Sequence, residues 1–116
     1  MPASPDIQDK LAALLKNYRS QLPTRLQEID ELWNQVCERG EMGDPGRELY
    51  RLVHSLAGSG ASFGFSELSK KAKDFENCLK PYCDNGSPLD EAAQQQLNPS
   101  RTSLYDELNR VFSEEG

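Results

Sequence analysis

Asp44-Pro45-Gly46-Arg47-Glu48-Leu49-Tyr50-Arg51-Leu52-Val53-His54-Ser55-Leu56-Ala57-Gly58-Ser59-Gly60-Ala61-Ser62-Phe63-Gly64 reads as one amphipathic helix with its start and stop signals attached. An acid followed by proline is a strong helix opening, the acid capping the first free N–H groups and the proline occupying a position that needs no donor. Leu49, Val53 and Leu56 recur at three-to-four spacing and form the apolar face. Gly64 is the residue expected just past the end. At 100° per residue, Arg47, Arg51, His54, Gly58 and Ala61 fall on another face, so the chain's single histidine is expected at the surface.

Working outward, the same periodicity recurs on both sides. Ser4 and Pro5 read as a cap and first helical residue, with Ile7, Leu11, Leu14, Leu15 and Tyr18 following, which predicts a helix over about 5–20. Pro23 then breaks or kinks the chain before Leu26, Ile29, Trp33 and Val36 resume the stripe, which stops near Arg39-Gly40. Downstream, Ser66 is placed to cap a helix with the stripe Leu68, Ala72, Phe75, Leu79 and Tyr82, running out at Asp84-Asn85-Gly86-Ser87-Pro88. A last helical region, Leu89 to Phe112, is expected to be interrupted at Asn98-Pro99. The expected fold is all-α: an antiparallel four-helix bundle over about 23–113, with an additional N-terminal helix packed across it.

With 116 residues the chain holds one domain, residues 1–116, and no separate catalytic domain fits beside the bundle. Thirteen Lys and Arg against 19 Asp and Glu give a net charge of −6, which repels nucleic acid and anionic membrane and favours a protein partner. No apolar run approaches a membrane span, and Met1-Pro2-Ala3-Ser4-Pro5 lacks the regions of a signal peptide, so a cytoplasmic protein is expected. Cys37, Cys78 and Cys83 are odd in number and contain no CxxC pair, which suits reduced thiols in packing roles. There are no internal repeats.

Two glycines single out the surroundings of His54. Gly58 and Gly60 each cost about 1 kcal/mol relative to alanine inside a helix, so something must offset them. Gly58 can leave the space beside the imidazole free for another protein's backbone, or both glycines can serve close helix packing.

The string His54-Ser55-Leu56-Ala57-Gly58-Ser59-Gly60-Ala61-Ser62-Phe63-Gly64-Phe65-Ser66-Glu67-Leu68 resembles the motif of the histidine phosphotransfer (HPt) domain family: histidine, any residue, leucine, usually lysine, glycine, serine, then a later glycine and leucine. The helix spacing from about Leu26 to Cys83 agrees with that family's bundle. The resemblance implies that His54 carries a phosphoryl group. One position departs, because Ala57 stands where the family commonly has the lysine that meets the phosphoryl charge. Arg51, one turn before His54, is the first replacement on spacing, with Lys70, Lys71 and Lys73 as further candidates; as a plain alternative, Arg51 is a solvated surface group. Glu76 falls where the family often places a polar residue near the histidine, so it is a candidate to orient the imidazole, or else a solubilising glutamate.

Neutral imidazole has an ordinary pKa near 6.5 and offers a lone pair to phosphorus at neutral pH. Phosphoryl transfer also needs charge stabilisation, normally a metal and several cations. The sequence has no GxxxxGK[ST] loop, and Cys78-x4-Cys83 is poor zinc spacing, so no cofactor or metal is expected on this chain. The resemblance implies instead that a receiver domain brings aspartate, Mg2+ and lysine, which makes the chain a monomeric phosphoryl carrier and not a kinase. The implied partners are response-regulator receiver domains and a hybrid histidine kinase, meeting the His54 face at Arg47, Arg51, Ala57, Gly58 and Ala61 together with neighbouring surface of segments 5–20 and 66–85. Two other readings remain at this point: a helical interaction module in which His54 is incidental, and a degenerate relative that binds receivers without being phosphorylated.

Overall fold

The computed structural model describes residues 5–113, which form four α-helices: α1 (Pro5–Arg39), α2 (Gly43–Ser62), α3 (Ser66–Asn85) and α4 (Glu91–Ser113). Each helix packs on its neighbours in the chain, and α4 closes the ring against α1. The pairs that meet run in opposite senses: Ala57 with Ser69, His54 with Glu76 and Gly46 with Cys83 join α2 to α3. Short connections leave no other arrangement for consecutive helices.

One apolar stripe from each helix makes the core. Ile29, Trp33 and Val36 of α1, Leu49, Val53 and Leu56 of α2, Leu68, Ala72, Phe75 and Leu79 of α3, and Leu97, Leu104, Leu108 and Val111 of α4 are all buried. The α2 and α3 stripes are those read from the spacing alone. Trp33 meets Phe75 edge-on, with ring centroids 6.2 Å apart, and ties α1 to α3 across the middle of the bundle.

The additional N-terminal helix is not a separate element. α1 runs without interruption through Pro23 for 35 residues, about 52 Å at 1.5 Å per residue, and sets the 56 Å long axis of the molecule. An interior proline costs about 3 kcal/mol. Leu22 and Ile29 on either side of it are buried in the same seam, and each such burial is worth about 1.5–3 kcal/mol, so packing carries the helix past the proline. The expected interruption at Asn98-Pro99 is likewise absent, since Leu97 and Leu104 anchor α4 on both sides of Pro99. Nor does the N-terminal segment lie across the bundle: Ile7, Leu11, Leu14 and Leu15 are exposed, and firm packing begins only around Tyr18.

Several helix ends differ from the sequence expectation. The proposed Ser4 cap lies outside the described residues. Asp44 is in the first turn of α2, and the cap position is taken by Met42 with no side-chain hydrogen bond; Asp44 instead forms an ion pair with Arg47. Ser66 is the first residue of α3, not its cap. The Gly64 stop is as expected, with φ of +84°, the Phe65 N–H donating to Gly60 O and the Gly64 N–H to Ala61 O, the paired bonds of a Schellman ending. The true start of α4 is Asp90, whose carboxylate accepts the Ala93 N–H at 2.9 Å.

Candidate functional site

His54 stands just past the middle of α2 with 65% of its side chain exposed. Its neighbours on that face, Arg47, Arg51, Gly58 and Ala61, are exposed as the helical spacing requires, whereas Ala57 is turned into the α2–α3 seam at 7% exposure. Ala57 is therefore not a projecting docking group. Its carbonyl accepts a 2.7 Å hydrogen bond from the Ser69 hydroxyl, which latches α3 onto α2 one turn from the histidine.

From across that seam α3 brings Glu76, whose side chain is only 6% exposed and whose Oε2 lies 3.0 Å from Nδ1 of His54. Burial works against the charged carboxyl, yet the hydrogen bond and charge of His54, the Lys73 ammonium at 3.8 Å and the Tyr50 hydroxyl at 3.4 Å together hold it below the ordinary glutamate range. An ionised carboxylate only accepts hydrogen bonds. The proton of a neutral His54 ring accordingly sits on Nδ1, and the lone pair is left on Nε2, which has no hydrogen-bond partner among the described residues. Glu76 is thus a buried, engaged group and not a solubilising surface residue.

The two glycines have different surroundings. A β-carbon added at Gly58 meets nothing within 4 Å, while one at Gly60 comes within 3.3 Å of the Ser69 nitrogen and 3.5 Å of the Phe65 carbonyl oxygen. Gly60 serves close approach of α2 and α3. Gly58 leaves open space beside the imidazole.

Cations flank the ring on both sides. Lys70 and Lys73 border a recess of about 460 Å³ together with His54, Gly58 and Ser69. Arg47 and Arg51 border a second recess on the opposite side of His54, with Tyr50, Cys83 and Asp84. Lys71 borders neither. Arg47 shares its charge with Asp44, while Arg51 has no ion pair among the described residues. A nucleophilic nitrogen, a carboxylate fixing the opposite nitrogen, and cations within side-chain reach form a set suited to accepting an anionic group.

The family model of the Hpt domain matches residues 13–113, nearly the whole of the chain. The chain belongs to the Hpt domain family. No curated protein and no solved structure matches it. An Hpt domain is a module of phosphorelay signalling in which a histidine is phosphorylated, and its partners as a family are receiver domains and histidine kinases. The match begins at residue 13, well inside α1, so the Hpt domain pattern covers the packed bundle and leaves out the first turns of that helix. Among the described residues of this Hpt domain no helix is long and apolar enough to cross a membrane, and no group of three or more His, Cys, Asp and Glu side chains is placed to hold a metal ion.

Two residues of the site escape the sequence motif. Tyr50 lies one turn before His54 with its ring nearly parallel to the imidazole, 7° between planes and 6.4 Å between centroids; the four-residue spacing was the available signal. Ser69 belongs to α3, and its bond to Ala57 depends on the register of two helices, which spacing within one helix does not reveal.

Proposed function

We propose that this Hpt domain is a phosphoryl carrier of a two-component relay, accepting the group on Nε2 of His54 from a receiver-domain aspartate and passing it to the aspartate of another receiver. The Nε2–P bond forms as the acyl P–O bond of the aspartyl phosphate breaks, and the freed carboxylate stays on the receiver. Glu76 holds the Nδ1 proton and balances the charge that the ring gains as Nε2 is phosphorylated. Lys73, with Lys70 beside it, faces the incoming phosphoryl oxygens in place of the lysine absent at Ala57. Arg51 and Arg47 lie toward the rim, where charge mainly speeds encounter with an acidic partner pocket. The Mg2+ that such a transfer requires belongs to the receiver, and a hybrid histidine kinase is the upstream source. The carrier acts as a cytoplasmic monomer with no ATP chemistry of its own, meeting each partner through a small, transient interface.

The observation that carries this reading is the contact of Glu76 with Nδ1, which leaves Nε2 free on an open face beside Gly58. A receiver-binding module that takes no phosphate is the second reading, favoured by the alanine at position 57. Incubation with labelled phospho-receivers separates the two. Label is expected on the wild type, acid-labile and alkali-stable as a phosphoramidate is, and absent from His54→Gln with helical content unchanged. Full labelling of His54→Gln, or an acid-stable product on Ser55 or Ser59, overturns the assignment.

A further inference from the structure

Glu76 is pulled from two directions. On the α2 side its Oε2 meets both His54 Nδ1 at 3.0 Å and the Tyr50 hydroxyl at 3.4 Å; on the α3 side the exposed Lys73 ammonium approaches the same oxygen at 3.8 Å. Its other oxygen, Oε1, is buried without a partner. A carboxylate with one oxygen shared three ways and the other unused is free to turn about its terminal bond unless its neighbours hold it. The exposed Lys73 ammonium competes with the imidazole for the same oxygen. Tyr50 opposes that pull from the side of the histidine.

We infer that Tyr50 is a positioning residue for the reaction at His54, acting through Glu76: its hydroxyl keeps Oε2 on the Nδ1 side, and so keeps the reactive lone pair on Nε2. This inference rests on the phosphoryl-carrier reading above. The phenol has only one proton to give, and burial together with the negative charge of Glu76 pushes its pKa up, so Tyr50 stays a donor throughout the physiological range. At 3.4 Å the bond is long for O–H···O, and its effect is on orientation more than on stability. Groups that orient a histidine through its second nitrogen act in this way in metal sites too, where they fix the tautomer. The two rings lie nearly parallel one turn apart on α2, with their centroids 6.4 Å apart.

Tyr50→Phe removes only the hydroxyl and leaves the ring in place, which makes it the deciding variant. The 15N NMR spectrum of the unphosphorylated imidazole at high pH reports the tautomer directly, and phosphoramidate serves as a small donor that needs no partner protein, its own P–N bond breaking as ammonia leaves. For Tyr50→Phe the expected result is a tautomer mixture in place of a dominant Nδ1–H form, with His54 phosphorylation by phosphoramidate slowed about threefold or more. Melting temperature and receiver affinity stay at wild-type values, which a merely structural role does not predict. Tyr50→Leu, lacking the ring as well, is expected to be slower still. A wild-type tautomer spectrum and wild-type rate in Tyr50→Phe, with His54 labelled normally in both proteins, overturn the inference while leaving the carrier reading intact. A wild type that takes no label on His54 from phosphoramidate or from phospho-receivers overturns the carrier reading and the role of Tyr50 with it.

Discussion

Gly60 and Ser69 meet closely: a β-carbon on the glycine would stand 3.3 Å from the serine's backbone nitrogen, tighter than side chains ordinarily pack, so α3 would have to give by a few tenths of an ångström. Gly60→Ala therefore sets a helix-propensity gain of up to about 1 kcal/mol against overpacking, which typically costs about 1–3 kcal/mol. Because the obstructing atoms are backbone, the loss is expected to win, and urea denaturation should show Gly60→Ala destabilised. Gly58→Ala meets nothing and should be stabilised by about 0.5–1 kcal/mol. A stabilised Gly60→Ala would show that α2 and α3 separate easily.

Space at Gly58 also separates folding from function. Gly58→Gln is expected to stay folded with a melting temperature near wild type, yet to lose transfer from a receiver, because the long side chain lies one turn from His54 in the volume a partner must occupy. Phosphorylation by phosphoramidate should survive. Normal transfer from a phospho-receiver at unchanged stability would show that partners do not press against this part of α2.

Glu76 gives the fold a pH dependence of defined sign. Its carboxyl is held below the ordinary glutamate value, which is about 4.3. The stability it supplies is therefore fully present above that value and is lost as pH falls through the lower, folded value. The stability difference between wild type and Glu76→Gln, read from denaturation curves at pH 5 and below, should shrink as pH falls toward 3. A gap that widens between pH 5 and pH 3 would contradict the direction of the shift.

The proposed function assigns the cations around the ring different roles. Lys73→Ala is expected to slow phosphoryl acceptance severalfold even at saturating receiver, with Lys73→Arg retaining most of the rate. Arg51→Ala should instead weaken and slow receiver association, with an effect that fades as salt is raised. Swapped outcomes in single-turnover measurements would exchange the two assignments.

The exposed beginning of α1 and its anchor at Tyr18 should behave very differently. Polar substitution of Ile7, Leu11 or Leu14, all more than half exposed, should change stability by less than about 0.5 kcal/mol. Tyr18 is stacked on Phe63 at 4.5 Å and its hydroxyl pairs with that of Ser59 at 2.8 Å. Tyr18 is half-buried against the core, so Tyr18→Ala should cost about 1–3 kcal/mol, and equal melting temperatures for Tyr18→Ala and Leu11→Ser would contradict this packing.

Spacing within a helix was enough to find the core faces of α2 and α3, the exposure of His54, and the stop at Gly64. Proline misled at positions 23 and 99, because local cost was visible and the compensating burial of Leu22, Ile29, Leu97 and Leu104 depends on other helices. The apolar spacing of Ile7, Leu11, Leu14 and Leu15 likewise states amphipathicity, not whether a partner surface exists. Around His54, the motif marked the residues of α2, and Glu76 was reached only through family resemblance. Gly58 and Gly60 look alike in the sequence, and only the position of Ser69 tells them apart.

Three of the four helices carry a proline in their interior, at positions 23, 81 and 99, whereas the proline of α2, Pro45, sits in its first turn. Each interior proline leaves a carbonyl four residues earlier, on Arg19, Asn77 and Gln95, without its helical N–H. Where helices do kink sharply, it is most often at positions of this kind. The helix bearing the histidine has no interior proline, so the hydrogen-bond ladder around His54 is unbroken while those of its three neighbours each lack a rung.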